Sequence, residues 1–200
     1  MTQLSDTKRE AILEAGTRMF LAHGYSAISM DAIAEAAPVS KPTLYNYFTG
    51  KPALFGAVIS RLCDRMVRAL DALKTITADP AAGLSVIAHA CVELVYAPDS
   101  LRLFRVVIAE QTHFPELGEM TYRAGADPII AQIAAYLSGI DPASGLCFTD
   151  VNESALLLVS MLMGDDYLRC LAGFNPSPDT AEKNRLVERV LRHYLRAHHA

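Results

Sequence analysis

Apolar side chains recur along this chain with the spacing of an α-helix, and this periodicity limits the folds open to it. The first segment has the i, i+3, i+4, i+7, i+8 pattern of one helical face, formed by Ile12, Ala15, Gly16, Met19 and Phe20. Beyond Pro80 similar segments follow one another without the alternation typical of strands. Stretches such as "YAPDS" and "GFNPSPDT" mark the turns between them. We therefore predict an all-α fold.

Capping and helix-breaking residues predict where the first helices begin and end. Gly24 suits the left-handed position that closes the first helix. Ser29 is a good N-cap for a second helix, which Pro38 ends. A third helix is expected to start near Ser40, with Lys41 as a possible cap because a residue before proline avoids the helical region.

The later helices are predicted from periodicity and from the turn-rich breaks. They are expected at about residues 53–77, 81–96, 99–112, 116–138, 149–171 and 179–197. The stretch "GADP" is expected to kink or divide the segment 116–138. We predict an N-terminal three-helix domain over residues 1–51 and a larger helical domain over residues 52–200.

The lack of a long apolar run and the spacing of the cysteines argue for a cytoplasmic location and against a metal site. The longest apolar run, "ALLLVSMLMG", is about half of the roughly 20 residues that a membrane span needs. The first residues, "MTQLSDTKRE", do not resemble a signal peptide. The 4 cysteines form no CxxC pair, which favours reduced, buried thiols over disulfides or zinc. No metal site or cofactor is expected.

The second helix, the short turn "APVS" and the third helix have the arrangement of a helix-turn-helix. On the third helix Leu44 and Phe48 share the inner face. The remaining positions carry groups that reach base edges, namely Lys41, Thr43, Asn46 and Tyr47. Tyr45 and Lys51 are expected to reach phosphates. The formal net charge of −4 counts against DNA binding.

The alternative is that the third helix is only a surface helix. An exposed helix is usually rich in Glu, Lys, Gln and Ala, which favour the helical state. This one carries two Tyr, Thr, Asn and Pro, and no acidic residue. Poor helix formers at solvent-facing positions favour the DNA-binding interpretation.

The stretch "GYSAISMDAIAEAAPVSKPTLYNYFTGKPALFGAVI" strongly resembles the DNA-binding domain of the TetR/AcrR family of bacterial transcription regulators. The resemblance implies that Lys41, Thr43, Asn46 and Tyr47 face the major groove. It also implies phosphate contacts at Ser29, Tyr45 and Lys51. The chain departs from the family pattern at Pro38, where the family usually has glycine in the turn, and at the acidic Asp31.

The segment "LRLFRVVIAEQTHFPELGEMTYRAGADPIIAQIAAYL" is similar to the C-terminal domain of the AefR-like branch of that family. This implies a helical domain that dimerises and binds an effector. The expected lining of an apolar effector pocket is Phe104, Phe114, Tyr122 and Met161, although residues of these types at helical spacing are also usual in a core.

A homodimer is predicted because the last two helices carry more apolar surface than one stripe. The expected interface comprises Ala155, Leu158, Leu162, Val187, Val190 and Tyr194. The alternative is that both helices are buried within one chain.

No nucleophile elbow, phosphate-binding loop or dinucleotide fingerprint is present, so no enzymatic activity is expected. The sequence predicts a repressor that binds a near-palindromic DNA operator as a homodimer and is released by an unidentified small-molecule effector. The alternative is an effector-binding or interaction protein whose helix-turn-helix has lost specific DNA binding.

Overall fold

The computed structural model describes residues 2–73 and 79–199, and within those ranges the chain is helical. No β-strand occurs there, and the only extended pairing is an isolated bridge between Leu146 and His199. The prediction of an all-α fold with an N-terminal helix-turn-helix is confirmed.

The helices follow the predicted order closely. They are α1 (Thr2–His23), α2 (Met30–Ala36), α3 (Lys41–Tyr47), α4 (Lys51–Leu73), α5 (Pro80–Val95), α6 (Pro98–Glu110), α7 (Glu116–Thr121), α8 (Asp127–Ser138), α9 (Val151–Leu171) and α10 (Thr180–Ala197). The expected break at "GADP" is confirmed, because a π-helical turn, Tyr122–Ala126, separates α7 from α8. The predicted end of α4 near residue 77 lies outside the described residues.

The caps of the first helices confirm two predictions and correct a third. Gly24 adopts φ +85° after α1, and the Ser29 hydroxyl accepts from the Ala32 N–H at the start of α2. Ser40, and not Lys41, caps α3 by accepting from the Thr43 N–H. A serine hydroxyl can accept this hydrogen bond, whereas a lysine ammonium has no acceptor atom.

The chain divides into two compact units, and neither is continuous in sequence. The first unit comprises Met1–Leu62 and Arg102–Gly125, and the second comprises Cys63–Leu101 and Ala126–Ala200. The first unit therefore contains a distant segment besides the helix-turn-helix. The domain division expected after residue 51 was drawn along the sequence alone and stays a prediction.

The first unit is built around a cluster of aromatic rings. Tyr25 stacks on Phe20 with the ring centroids 5.8 Å apart. Its edges also meet Phe55 and Phe114, each with centroids 5.1 Å away. Such edge-to-face pairs add about 0.5–1.5 kcal/mol beyond the burial of their area. Phe114 thus links the segment after α6 to the end of α1.

The core of the second unit is formed by α5, α8, α9, α10 and the distal part of α4. Gly164 interrupts α9 with φ +52° and ψ −160°, a conformation essentially reserved for glycine. The fully buried Tyr96 hydroxyl donates to the Met163 carbonyl at 2.8 Å and lies 3.3 Å from that of Leu162. Tyr96 therefore satisfies carbonyls at the kink.

Two further predictions concern cysteines and membranes. Cys91 and Cys170 are buried as expected, but Cys147 is exposed, so packing does not account for that thiol. Over the described ranges no single helix combines the length and apolarity needed to cross a membrane. One bent pair, Pro80–Val95 with Pro98–Glu110, meets that test by length and composition only.

Candidate nucleic-acid interface

The helix-turn-helix is held together by apolar side chains facing inward from α2 and α3. Met30 and Ile33 of α2 are buried, and so are Leu44 of α3 and Phe48 at its end. Each helix is only two turns long, too short to be stable alone in water. Burial of these side chains therefore determines which face of α3 remains open.

The turn between α2 and α3 places Pro38 at φ +22°. The pyrrolidine ring prefers φ near −65°, so this backbone is strained. The Val39 N–H nevertheless donates to the Ala34 carbonyl at 3.0 Å, which closes the end of α2. Proline thus occupies the left-handed position for which glycine is the usual residue.

The open face of α3 carries the residues that the sequence placed there. Lys41, Tyr45 and Asn46 are exposed, and Thr43 and Tyr47 are half-buried. The exposed residues bring an ammonium, an amide and a phenol to one short helix, so this surface can donate and accept hydrogen bonds at base edges or phosphates. Ser29 is exposed as well, with its hydroxyl engaged in the cap of α2.

Lys41 is paired with the acidic residue that departs from the family pattern. Its ammonium donates to a carboxylate oxygen of Asp31 at 2.9 Å. The hydrogen bond and the charge of Asp31 raise the pKa of Lys41 above its ordinary value. This exposed pair adds little stability, but it determines where the cation at the start of α3 lies.

The ammonium of Lys51 contacts backbone carbonyls. It donates to Tyr25 O at 3.0 Å and Ile28 O at 2.9 Å, with Ser26 O at 3.4 Å. It also lies 4.5 Å from the centroid of the Tyr25 ring, a cation–π contact. Desolvation lowers the pKa of Lys51. These contacts hold the loop before α2. The phosphate contact expected of Lys51 would be a second role of the same ammonium.

The same loop is held from its other side by Glu110, at the end of α6. One Glu110 carboxylate oxygen accepts from the Ser26 N–H at 2.8 Å and from the Ser26 hydroxyl at 2.7 Å. These bonds hold the pKa of Glu110 below its ordinary value. A Cβ at Gly24 would lie 3.1 Å from that oxygen and would press on the Glu110 carboxylate, and φ +85° by itself favours glycine there.

The four residues expected to line an effector pocket have different surroundings. Phe114 packs on Tyr25, and the Tyr122 side chain is 55% exposed. Phe104 and Met161 are half-buried and belong to different compact units. A groove of about 450 Å³ in the second unit has none of these four in its lining, which includes Asp166, Glu182, Arg185 and Arg189.

The residues predicted for a dimer interface are buried inside the single chain. Ala155, Leu158 and Leu162 of α9 are 0% exposed. On α10 the exposed fraction is at most 4% for Val187, Val190 and Tyr194. Buried side chains have no surface left for a partner to cover, so these assignments need correction. The exposed apolar residues of α9 are instead Leu156, Leu157 and Leu168.

Comparison with known proteins finds family matches in two separate segments of the chain. Residues 12–58 match the family described as bacterial regulatory proteins of the tetR family. Residues 82–200 match the AefR-like transcriptional repressor, C-terminal domain. The chain belongs to the TetR family of DNA-binding transcriptional regulators.

Individual relatives support this assignment over different lengths. The transcriptional regulator MT1294 of Mycobacterium tuberculosis is 31% identical over 76% of this chain and 71% of its own length. The transcriptional activator FasR of Mycolicibacterium smegmatis is 42% identical over 36% of this chain, which covers 33% of FasR. The solved structure of the flavonoid-responsive regulator FrrA is 29% identical, with a TM-score of 0.73, over 96% of this chain and 97% of its own.

Sequence reasoning missed two features of the interface. The Lys41–Asp31 pair joins residues on different helices, and only the departure of Asp31 from the family pattern drew attention to it. The Glu110–Ser26 contact joins residues 84 positions apart, which no local motif indicates.

Proposed function

We propose that this regulator represses transcription by binding a near-palindromic operator as a homodimer. In this proposal α3 lies in the major groove, with Lys41, Thr43, Asn46 and Tyr47 facing base edges. Ser29, Tyr45 and Lys51 contact phosphates. The open polar face of α3 carries the proposal, because Leu44 and Phe48 bury the opposite face. A regulator of bacterial DNA acts in the cytoplasm, where the chromosome lies.

The choice of repression over activation rests on the AefR-like family model that residues 82–200 match. The matching model describes a transcriptional repressor, whereas FasR is named an activator. The activator matches over only 73 residues, 36% of this chain. We therefore favour repression, the activity associated with the larger, C-terminal match.

A binding assay tests the placement of α3. An operator is first selected from a pool of random duplexes, and affinity is then measured on it and on a random duplex. Asn46→Ala is expected to cost about 1–3 kcal/mol on the operator and little on random DNA. It is a cleaner test than Thr43→Ala, because the Thr43 hydroxyl also bonds to the capping Ser40 hydroxyl at 2.7 Å.

Lys51→Ala separates phosphate contact from loop anchoring. A phosphate contact predicts weaker binding to both duplexes and a salt dependence flatter by about one phosphate. Loss of the carbonyl contacts alone would lower thermal stability and leave that slope unchanged. Unchanged operator affinity in a folded Asn46→Ala, Tyr47→Ala protein would disprove the placement of α3.

We further propose that an uncharged or amphipathic effector releases the protein from DNA. Such a ligand must bind the non-DNA-binding conformation more tightly, because equal affinity for both states shifts nothing. The family branch and the flavonoid-responsive relative support a small-molecule signal. Phe104, Phe114 and Tyr122 of the first unit remain proposed contacts, although Phe114 would first have to leave Tyr25.

Effector release is tested with a panel of apolar and flavonoid-like compounds. A true effector is expected to raise the melting temperature of the free protein and to weaken operator binding in the same concentration range. A compound that stabilises the protein and leaves operator affinity unchanged would be a ligand without the proposed effect.

The proposed homodimer uses the exposed side of α9. Leu156, Leu157 and Leu168 are 52%, 44% and 62% exposed on a helix whose other face is in the core. A homodimer carries two α3 helices, which would read two half-sites in successive major grooves. The half-sites would then lie about 10–10.5 base pairs, or a multiple of that distance, apart.

A further inference from the structure

The ion pair between Asp31 and Lys41 joins the two helices of the helix-turn-helix at their N-terminal ends. Asp31 lies in the first turn of α2, and Lys41 is the first residue of α3. Their side chains are 62% and 59% exposed, and the ammonium donates to the carboxylate at 2.9 Å. An exposed pair of this kind contributes little to folding, so stability alone is a weak explanation for it.

The pair changes what Lys41 can offer to DNA. An ammonium has three N–H donors, of which the carboxylate takes one and leaves two. Two donors directed from a fixed position suit the O6 and N7 acceptors of guanine. A free lysine would instead follow the nearest phosphate, which strengthens binding to every sequence equally.

We propose that Asp31 is a specificity-determining positioning residue, which acts by holding the Lys41 ammonium at the base-edge side of α3. Its negative charge also offsets the attraction of Lys41 for phosphates. Asp31 thus lowers affinity for random DNA more than affinity for the operator. This inference rests on the proposed placement of α3 in the major groove.

The decisive experiment compares the wild-type protein with Asp31→Asn on the selected operator and on a random duplex at several salt concentrations. Asparagine keeps the size and removes the charge. We expect affinity for the random duplex to rise about three- to tenfold at low salt, with the salt slope steeper by about one phosphate. Operator affinity is expected to stay the same or fall, so the ratio of operator to random affinity drops by about threefold to tenfold or more.

Glu35→Gln is the matched control, because Glu35 is exposed on the same helix one turn after Asp31. It changes the net charge by the same amount without touching Lys41. An equal gain in Glu35→Gln would show that net charge, and not the pair, controls the affinity. Equal gains of Asp31→Asn on both duplexes would likewise overturn the inference.

A second background tests whether Asp31 acts through Lys41. In a Lys41→Ala protein, Asp31→Asn is expected to leave the salt slope on random DNA unchanged. A slope that steepens in that background as well would mean that the carboxylate repels phosphates directly, and the inference would fail. The placement of α3 is judged separately by Asn46→Ala, so failure of either proposal can be recognised. Circular dichroism confirms that each variant is folded.

Discussion

Glu110 and Ser26, 84 positions apart, are joined by two hydrogen bonds to a single carboxylate oxygen, 2.8 Å from the Ser26 nitrogen and 2.7 Å from its hydroxyl. The Lys51 ammonium holds the carbonyl side of the same loop. The loop leads directly into Ser29, the N-cap of α2. The DNA-binding unit therefore includes a carboxylate from α6 that the N-terminal family match, residues 12–58, does not contain.

Glu110→Gln is expected to lower the melting temperature at neutral pH, since it removes the charge from these hydrogen bonds at a cost of about 1 kcal/mol. The folded-state pKa of Glu110 lies below its ordinary value of 4.5. The stabilisation is therefore complete above that pH and is lost as the pH falls through the folded-state pKa. The difference between the two proteins should shrink in calorimetry as the pH falls below 4.5. Glu14→Gln, on the exposed side of α1, is the control for removing one carboxylate charge.

Pro38→Gly is expected to stabilise the protein. Strained backbone of this kind costs about 1–3 kcal/mol, which the substitution relieves. The greater freedom of glycine in the unfolded chain opposes folding and subtracts about 0.4–1 kcal/mol from this gain in stability. Thermal denaturation should show a net increase of roughly 0.5–2 kcal/mol in the free energy of unfolding. Pro42→Gly is the opposite control, because Pro42 suits the first turn of α3 and its loss should destabilise. A lower melting temperature for Pro38→Gly would contradict the argument.

Tyr96→Phe is expected to destabilise the second unit by about 1–3 kcal/mol, because it leaves buried carbonyls at the α9 kink without their donor. Burial raises the pKa of the Tyr96 phenol far above its ordinary value, so the neutral, donating form persists at every usable pH. Chemical denaturation measures the loss, with Tyr122→Phe on an exposed phenol as the control. Equal stability of the Tyr96→Phe and wild-type proteins would show that the carbonyls at the kink do not need this donor.

The double variant Leu156→Arg, Leu168→Arg is expected to convert the proposed dimer into a monomer without unfolding it, because both side chains are exposed in the single chain. Analytical ultracentrifugation at micromolar concentration gives the result. Val86→Arg, at an exposed apolar position on α5, is the control. Substituting Leu158 or Leu162 would not be informative, since arginine at a buried position unfolds the core. A folded double variant that remains dimeric would place the interface elsewhere.

The sequence by itself determined the features that depend on neighbours a few residues apart. Helical spacing identified Leu44 and Phe48 as inward residues, and both are buried. Gly24 and Ser29 were identified as caps because φ preference and hydroxyl chemistry act within one turn. The family resemblance rested on one contiguous stretch of sequence that begins at Gly24, so the class of regulator could be predicted from the sequence alone.

Tertiary structure decided every feature that depends on which surfaces meet. An apolar pattern reveals that Leu158 and Val190 are buried, but it does not distinguish burial in one chain from burial against a partner, since both exclude water alike. The pairing of Asp31 with Lys41 required the angle between two helices. The contact of Glu110 with Ser26 required the chain to return after 84 residues, and hydrogen bonds between distant segments leave no periodic trace in the sequence.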